Sequence, residues 1–264
     1  MITSAREDSD AAVEVLNPNG AGPAVLLCEH ASAHIPAVYR GLGLSRTVRD
    51  SHAVWDPGAH SLSRHLSAML DAPLIAGGVS RLVFDCNRPP EAPSAIPERS
   101  ELIEVPGNRN LSDAERAHRT ETVYRPFCAA VSAVLEARKA REQATALVTI
   151  HSFAPVYFGK PRSVEIGILH DSDSRLADAM LAQAGGPGSR WIERNRPYGP
   201  GDGVTHSLKI HGIANGLQNV MIEVRSDLLT TADERAGTAR KLMTLLTPAL
   251  RAVGLAKTGE LLHA

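Results

Sequence analysis

The 264-residue chain has no excess of charge of either sign: 28 lysines and arginines stand against 29 aspartates and glutamates, a net charge of -1. Nothing in that balance points to nucleic acid or to a membrane surface, so a small molecule is the expected partner. There are only three cysteines, Cys28, Cys86 and Cys128. They are scattered and odd in number, and two lie inside apolar runs, which implies no disulfide framework and suits small buried thiols in a reducing compartment. No apolar stretch approaches the length of a membrane span, and the first 22 residues carry Glu7, Asp8 and Asp10 where a signal peptide would have its apolar core. A cytoplasmic protein is expected. Internal repeats, low-complexity tracts and glycine-rich phosphate loops of the P-loop or dinucleotide type are also missing.

What is present is an ordinary globular composition, 43% hydrophobic and 22% charged. It suits one domain over residues 23–264 behind a polar N-terminal arm over 1–22. Two continuous apolar runs end in histidine. Ala24-Val25-Leu26-Leu27-Cys28 leads into Glu29-His30, and Ala146-Leu147-Val148-Thr149-Ile150 leads into His151-Ser152. Runs of this kind suit strands covered on both faces, and open α/β sheets bind ligands at the carboxyl ends of their strands. His30 and His151 are therefore candidates for metal or acid/base chemistry, although a single such histidine is more often a hydrogen-bonded core residue.

Asp56, in Trp55-Asp56-Pro57-Gly58-Ala59, precedes a stretch with Leu62, Leu66, Met69 and Leu70 at helical spacing. By position it is either an N-cap carboxylate or a ligand. Residues 74–77 and 80–89 read as two strands around a glycine turn. Arg81, Asp85 and Arg88 interrupt the second, either as an internal bridge or as a cationic fork for an anion. Residues 90–110 show no period and are expected to form a loop over the site. Ser112-Asp113-Ala114-Glu115 and Thr231-Ala232-Asp233-Glu234 are capping boxes that open helices, the first divided or kinked at Pro126. Residues 163–169 read as a strand nearer an edge, 174–184 as a helix ended by the glycines and proline of 185–188, and 193–203 as a mobile surface loop. The last strand, Val220-Met221-Ile222-Glu223-Val224-Arg225, buries a carboxylate that must be paired or functional.

Two imidazoles and one carboxylate make a common catalytic zinc set with a fourth position left for water, and Glu223 could move the proton. Hydrolysis of an amide on a carboxylated substrate fits these parts.

The segments Glu29-His30-Ala31-Ser32, Trp55-Asp56-Pro57-Gly58-Ala59, Ser80-Arg81 through Asp85-Cys86-Asn87-Arg88-Pro89, His151-Ser152-Phe153, Asn195-Arg196-Pro197-Tyr198 and Ile222-Glu223-Val224-Arg225-Ser226-Asp227-Leu228 resemble, in order over residues 24–229, the N-formylglutamate amidohydrolase family. The resemblance implies a three-layer α/β/α fold with a central mixed, mostly parallel sheet, of the phosphorylase/hydrolase-like, zinc carboxypeptidase-like kind, and one zinc ion. It also implies that His30 and His151 are ligands, that Asn87 and Arg88, with Arg225, hold a substrate carboxylate, that Arg81 polarises the scissile carbonyl, and that Glu223 is the general base. Carboxypeptidases take a glutamate ligand three residues after the first histidine, where this chain has Ala33. Asp56 is the preferred replacement, over Glu29, which adjoins His30 and in an extended strand would face away from it, and over His34.

The expected activity is zinc-dependent hydrolysis of an N-acyl, and by the resemblance an N-formyl, acidic amino acid such as N-formyl-L-glutamate. The alternatives are another carboxylated amide or short peptide, or a non-catalytic carboxylate binder on the same fold.

Overall fold

The computed structural model of the chain describes residues 10–49, 51–185 and 191–256. The apolar runs become strands of a seven-stranded sheet, β1 (Val13–Leu16), β2 (Ala24–Cys28), β3 (Leu74–Gly77), β4 (Ala146–Phe153), β5 (Ile166–Leu169), β6 (Ile192–Arg194) and β7 (Asn219–Arg225), in the order β1-β3-β2-β4-β7-β5-β6. The pairings β2–β3, β2–β4, β4–β7 and β5–β6 are parallel, while β1–β3 and β5–β7 are antiparallel. The sheet is thus mixed and mostly parallel, as expected. Its edge strand β1 falls within the stretch read as a polar arm; of that arm, residues 1–9 lie outside the described residues, as do 186–188 of the expected glycine-rich helix end.

Alternation along the buried strands divides the core in two. Leu26, Cys28, Leu74, Val148, Ile150, Ile222 and Val224 face α1 (Ala59–Leu70), α4 (Arg175–Gln183) and α5 (Ala232–Ala252). Val25, Leu27, Ile75 and Leu147 face the other layer, where Phe127, Val131 and Val134 of α3 (Arg125–Ala140) meet Leu82, Val83 and Phe84. Both predicted capping boxes form, Ser112 with Glu115 at the start of α2 (Asp113–Arg119) and Thr231 with Glu234 at the start of α5. A π-helical turn over Thr120–Tyr124 joins α2 to α3, so Pro126 falls in the first turn of α3, where its missing N–H costs nothing.

One predicted strand is absent. Residues 80–89 form turns, because Ser80 Oγ caps the backbone N–H of Leu82 and donates to the carbonyl of Val54, while Asp85 accepts from the N–H of Asn87. Those side-chain bonds compete with a sheet ladder and win.

This topology fixes where a ligand can sit. From β2 the chain passes through α1 on one face to β3, then through α3 on the other face to β4, the other neighbour of β2. From the carboxyl end of β2 the chain goes to β3 on one side, and from that of β4 it goes to β5 on the other, so the crevice between them is the switch point of the sheet. His30 follows β2, and His151 lies near the end of β4.

Candidate metal and active site

His30, Asp56 and His151 converge at that crevice, all nearly fully buried. Nδ1 of His30 is 3.2 Å and Nδ1 of His151 3.0 Å from the same oxygen, Oδ2 of Asp56. One donor atom from each residue lies within 4.8 Å of the others, so the group could hold a metal ion. Asp56 reaches this point because its turn is stitched down from both sides. Its backbone N–H donates to the His30 carbonyl, and the backbone N–H of Ser152 donates to its Oδ2. Ser152 Oγ donates to the carbonyl of Pro57. Gly58 closes the turn at φ 81° with no room for a side chain, since a Cβ would fall 2.5 Å from that of Leu229. The helix starts at Ala59 with Gly58 as its N-cap, so the Asp56 side chain is not the cap that its position suggested.

The outer nitrogens of both imidazoles face carboxylates. Nε2 of His30 lies 2.8 Å from Asp85 Oδ1. Nε2 of His151 lies 3.2 Å from Glu29 Oε2, an ion-pair distance without hydrogen-bond alignment. A carboxylate behind each imidazole fixes the ring and its tautomer, the arrangement that metal-binding histidines use. Glu29 thus stands behind His151 and outside the three-residue group, and His34 pairs with Asp10 at the surface. β2 ends at Cys28 and Glu29-His30 form a turn, so strand alternation does not separate these two side chains.

The electrostatics fit a cation. Burial would raise the Asp56 carboxyl, but His30 and His151 against it hold it well below the usual carboxylate range. Burial works against a charged His151, and Glu29 and Asp56 overcome it, lifting the imidazole well above its ordinary value. The carboxylates that favour protons on these rings would equally favour a metal ion, which would compete with those protons.

Glu223 is paired in register with His151 across β4 and β7 and is 5% exposed. Burial pushes its carboxyl up to about 7, and its Oε2 has no hydrogen-bond partner. An orphaned buried carboxylate oxygen beside a candidate metal site is a general-base candidate.

A cavity of about 510 Å3 opens on these groups, and Arg81, Asn87, Arg88, Tyr157, Arg162, Tyr198 and Glu101 are among the residues that line it. Arg81 donates to Asp56 Oδ1 at 3.4 Å and to Asp85 Oδ2 at 2.8 Å, bridging the carboxylates that orient the site. Arg88 lines the cavity and gives one bond to the carbonyl of Asn87.

Two residues expected at the substrate carry bonds within the protein. Asn87 is buried, with Nδ2 donating to the Val204 carbonyl and Oδ1 accepting from the Ser207 N–H, so its amide pins the 204–207 segment. Arg225 does not line the cavity; it binds Asp227 Oδ1 and the carbonyls of Arg162 and Ser163, because its side chain leaves the end of β7 toward the surface loops. His206 and His211 are both buried, and neither lines the cavity.

The loop over 90–110 does reach the site. Ser100 and Glu101 line the cavity, and Glu101 accepts from the backbone N–H of Phe158 at 2.8 Å and meets Nε2 of His52 at 3.0 Å. Pro197, Tyr198 and Asp202 bring the segment read as a surface loop to the same wall. Tyr157, Arg162 and Tyr198 come from turns and two-residue ribbons with no hydrophobic period, and of the three only Tyr198 lay in a segment that carried the family resemblance.

No curated protein matches the chain at a significant level. A crystal structure of gene product Atu2144 from Agrobacterium tumefaciens is similar over 93% of this chain and 97% of its own, at 52% identity and a TM-score of 0.91. An N-formylglutamate amidohydrolase from Ralstonia eutropha JMP134 has the same fold at 20% identity, with a TM-score of 0.70 over 91% of this chain and 98% of its own. The model of one family, N-formylglutamate amidohydrolase, matches residues 22–230, which takes in both histidines, Asp56, the arginines of the cavity and Glu223. The chain belongs to the N-formylglutamate amidohydrolase family.

Proposed function

We propose that the protein is a zinc-dependent amidohydrolase that cleaves the amide of an N-formyl amino acid bearing a carboxylate, with N-formyl-L-glutamate as the leading substrate. The observation that supports it best is the convergence of His30 Nδ1, His151 Nδ1 and Asp56 Oδ2 beside the orphaned carboxylate of Glu223. Two imidazole nitrogens and one carboxylate oxygen suit zinc in an open catalytic site. The ion, when bound, would lower the pKa of a water molecule and polarise the substrate carbonyl.

The chain's own groups do the rest. Glu223 takes the proton of the attacking water at its unpartnered Oε2 and passes it to the leaving amine nitrogen, and burial, which raises the carboxyl's hold on a proton, favours this role. Each terminal nitrogen of Arg81 keeps an N–H beyond the one it gives to Asp56 or Asp85, and these are the donors for the scissile carbonyl. Arg88 supplies a charge-assisted bond to the substrate carboxylate nearest the amide. Asp85 and Glu29 keep the imidazoles in place.

The test is a hydrolysis assay over N-acyl amino acids with zinc added back to chelator-treated protein. Release of formate from N-formylglutamate that depends on zinc is expected. Turnover of other carboxylated amides alone would move the substrate elsewhere, and no zinc uptake with no turnover would leave a non-catalytic carboxylate binder.

A further inference from the structure

We infer that Arg162 is the specificity residue for a second carboxylate, the one at the end of the substrate side chain. The inference rests on the proposed hydrolase function and deepens it, because it commits the site to N-acyl amino acids with an anionic side chain.

Charge compensation carries the argument. Three guanidinium groups line the cavity, and Arg81 is balanced by Asp56 and Asp85. Arg88 and Arg162 make no ion pair among the described residues, and both are partly buried. Arg88 gives a bond to one neutral oxygen, the Asn87 carbonyl. Arg162 gives two through Nη1, to Tyr198 Oη at 3.0 Å and, more weakly, to the Ala154 carbonyl at 3.4 Å. Of the carboxylates on the same wall, Glu101 is bonded to His52 and the Phe158 N–H and acts on Arg162 only beyond ion-pair distance, and Asp202 accepts from the Gly199 N–H. Two guanidinium groups that line one cavity without an ion-pair partner suit a ligand with two negative groups.

The surroundings assign the groups. Cζ of Arg162 lies 4.3 Å from the ring centroid of Tyr157, 4.7 Å from that of Tyr198 and 5.5 Å from that of Phe153. Three rings hold the guanidinium by cation–π contact and present apolar walls where the methylenes of a side chain can pack. Arg88 has no such ring contact; its one hydrogen bond goes to the Asn87 carbonyl, close to Asp85. The side-chain carboxylate therefore goes to Arg162, leaving the one beside the amide to Arg88.

The experiment compares N-formyl-L-glutamate with its neutral isostere N-formyl-L-glutamine on zinc-loaded wild-type, Arg162→Gln and Arg162→Lys proteins, together with calorimetric binding of L-glutamate and L-glutamine. Wild type should favour the anionic member of each pair. Arg162→Gln should lower kcat/KM for N-formylglutamate on the order of 10- to 100-fold and leave N-formylglutamine within a few-fold, so that the preference disappears. Arg162→Lys should restore part of it, since the charge returns without the planar fork. An equal loss on both substrates would make Arg162 a structural strut, and loss of the preference in Arg88→Gln instead would put the side chain at Arg88; either overturns the inference. If wild type hydrolyses neither compound, the proposed function fails, and the calorimetry alone decides Arg162. A preference for glutamate that vanishes in Arg162→Gln would uphold its role, and no preference in wild type would refute it.

Discussion

Asp85 stands 2.8 Å from Nε2 of His30, on the side of the ring away from Asp56. It donates nothing to the candidate metal site directly, yet it holds the imidazole that does. Asp85→Asn preserves the shape and removes the charge, and we predict a metal affinity about 10- to 100-fold weaker in chelator competition, with the fold retained by circular dichroism. Unchanged affinity would mean that the contact only balances Arg81.

Glu101 joins three segments around the cavity mouth through His52, its own loop and the hairpin N–H of Phe158. Phe158 is 50% exposed, so the hairpin has little burial of its own. Glu101→Ala should loosen it by about 1 kcal/mol, and chymotrypsin should then cut at Tyr157 or Phe158 about fivefold faster than in wild type. Equal cleavage rates would show that the carboxylate does not tether the hairpin.

His211 is 5% exposed, and burial lowers its imidazole from the ordinary 6.5 to about 4. The folded chain keeps it neutral, whereas the unfolded chain takes up a proton below pH 6.5. Its contribution is therefore complete above pH 6.5 and is lost as pH falls toward 4, a loss of about 3 kcal/mol. Urea midpoints for wild type and His211→Gln should fall on acidification with different slopes, the variant being the flatter. Parallel slopes would place the acid sensitivity elsewhere.

How much of this could be read from the sequence depended on whether local pattern or distant contact set each residue's role. His30 and His151 were legible because each ends an apolar run, and Ser112 and Thr231 because a capping box is a local device. Asp56 was legible as a candidate but not as a hub, since its partners lie 26 and 95 residues away. Asn87 looked like a substrate ligand beside Arg88; it does line the cavity, but its contacts 117 and 120 residues on could not be read from its neighbours. Residues 80–89 had the apolar content of a strand, but Ser80 and Asp85 supply side-chain bonds that a ladder would forgo. Arg162 carried no signal, because its aromatic surroundings are assembled from separate segments.

Glu223→Gln tests the central claim most directly, with zinc content and formate release measured on the same sample. Removing the proton-transfer group while keeping the shape should leave one zinc per chain and lower kcat on N-formyl-L-glutamate by about 100- to 10,000-fold. Loss of the metal would make Glu223 a ligand, and full activity with the metal retained would contradict its assignment as the base.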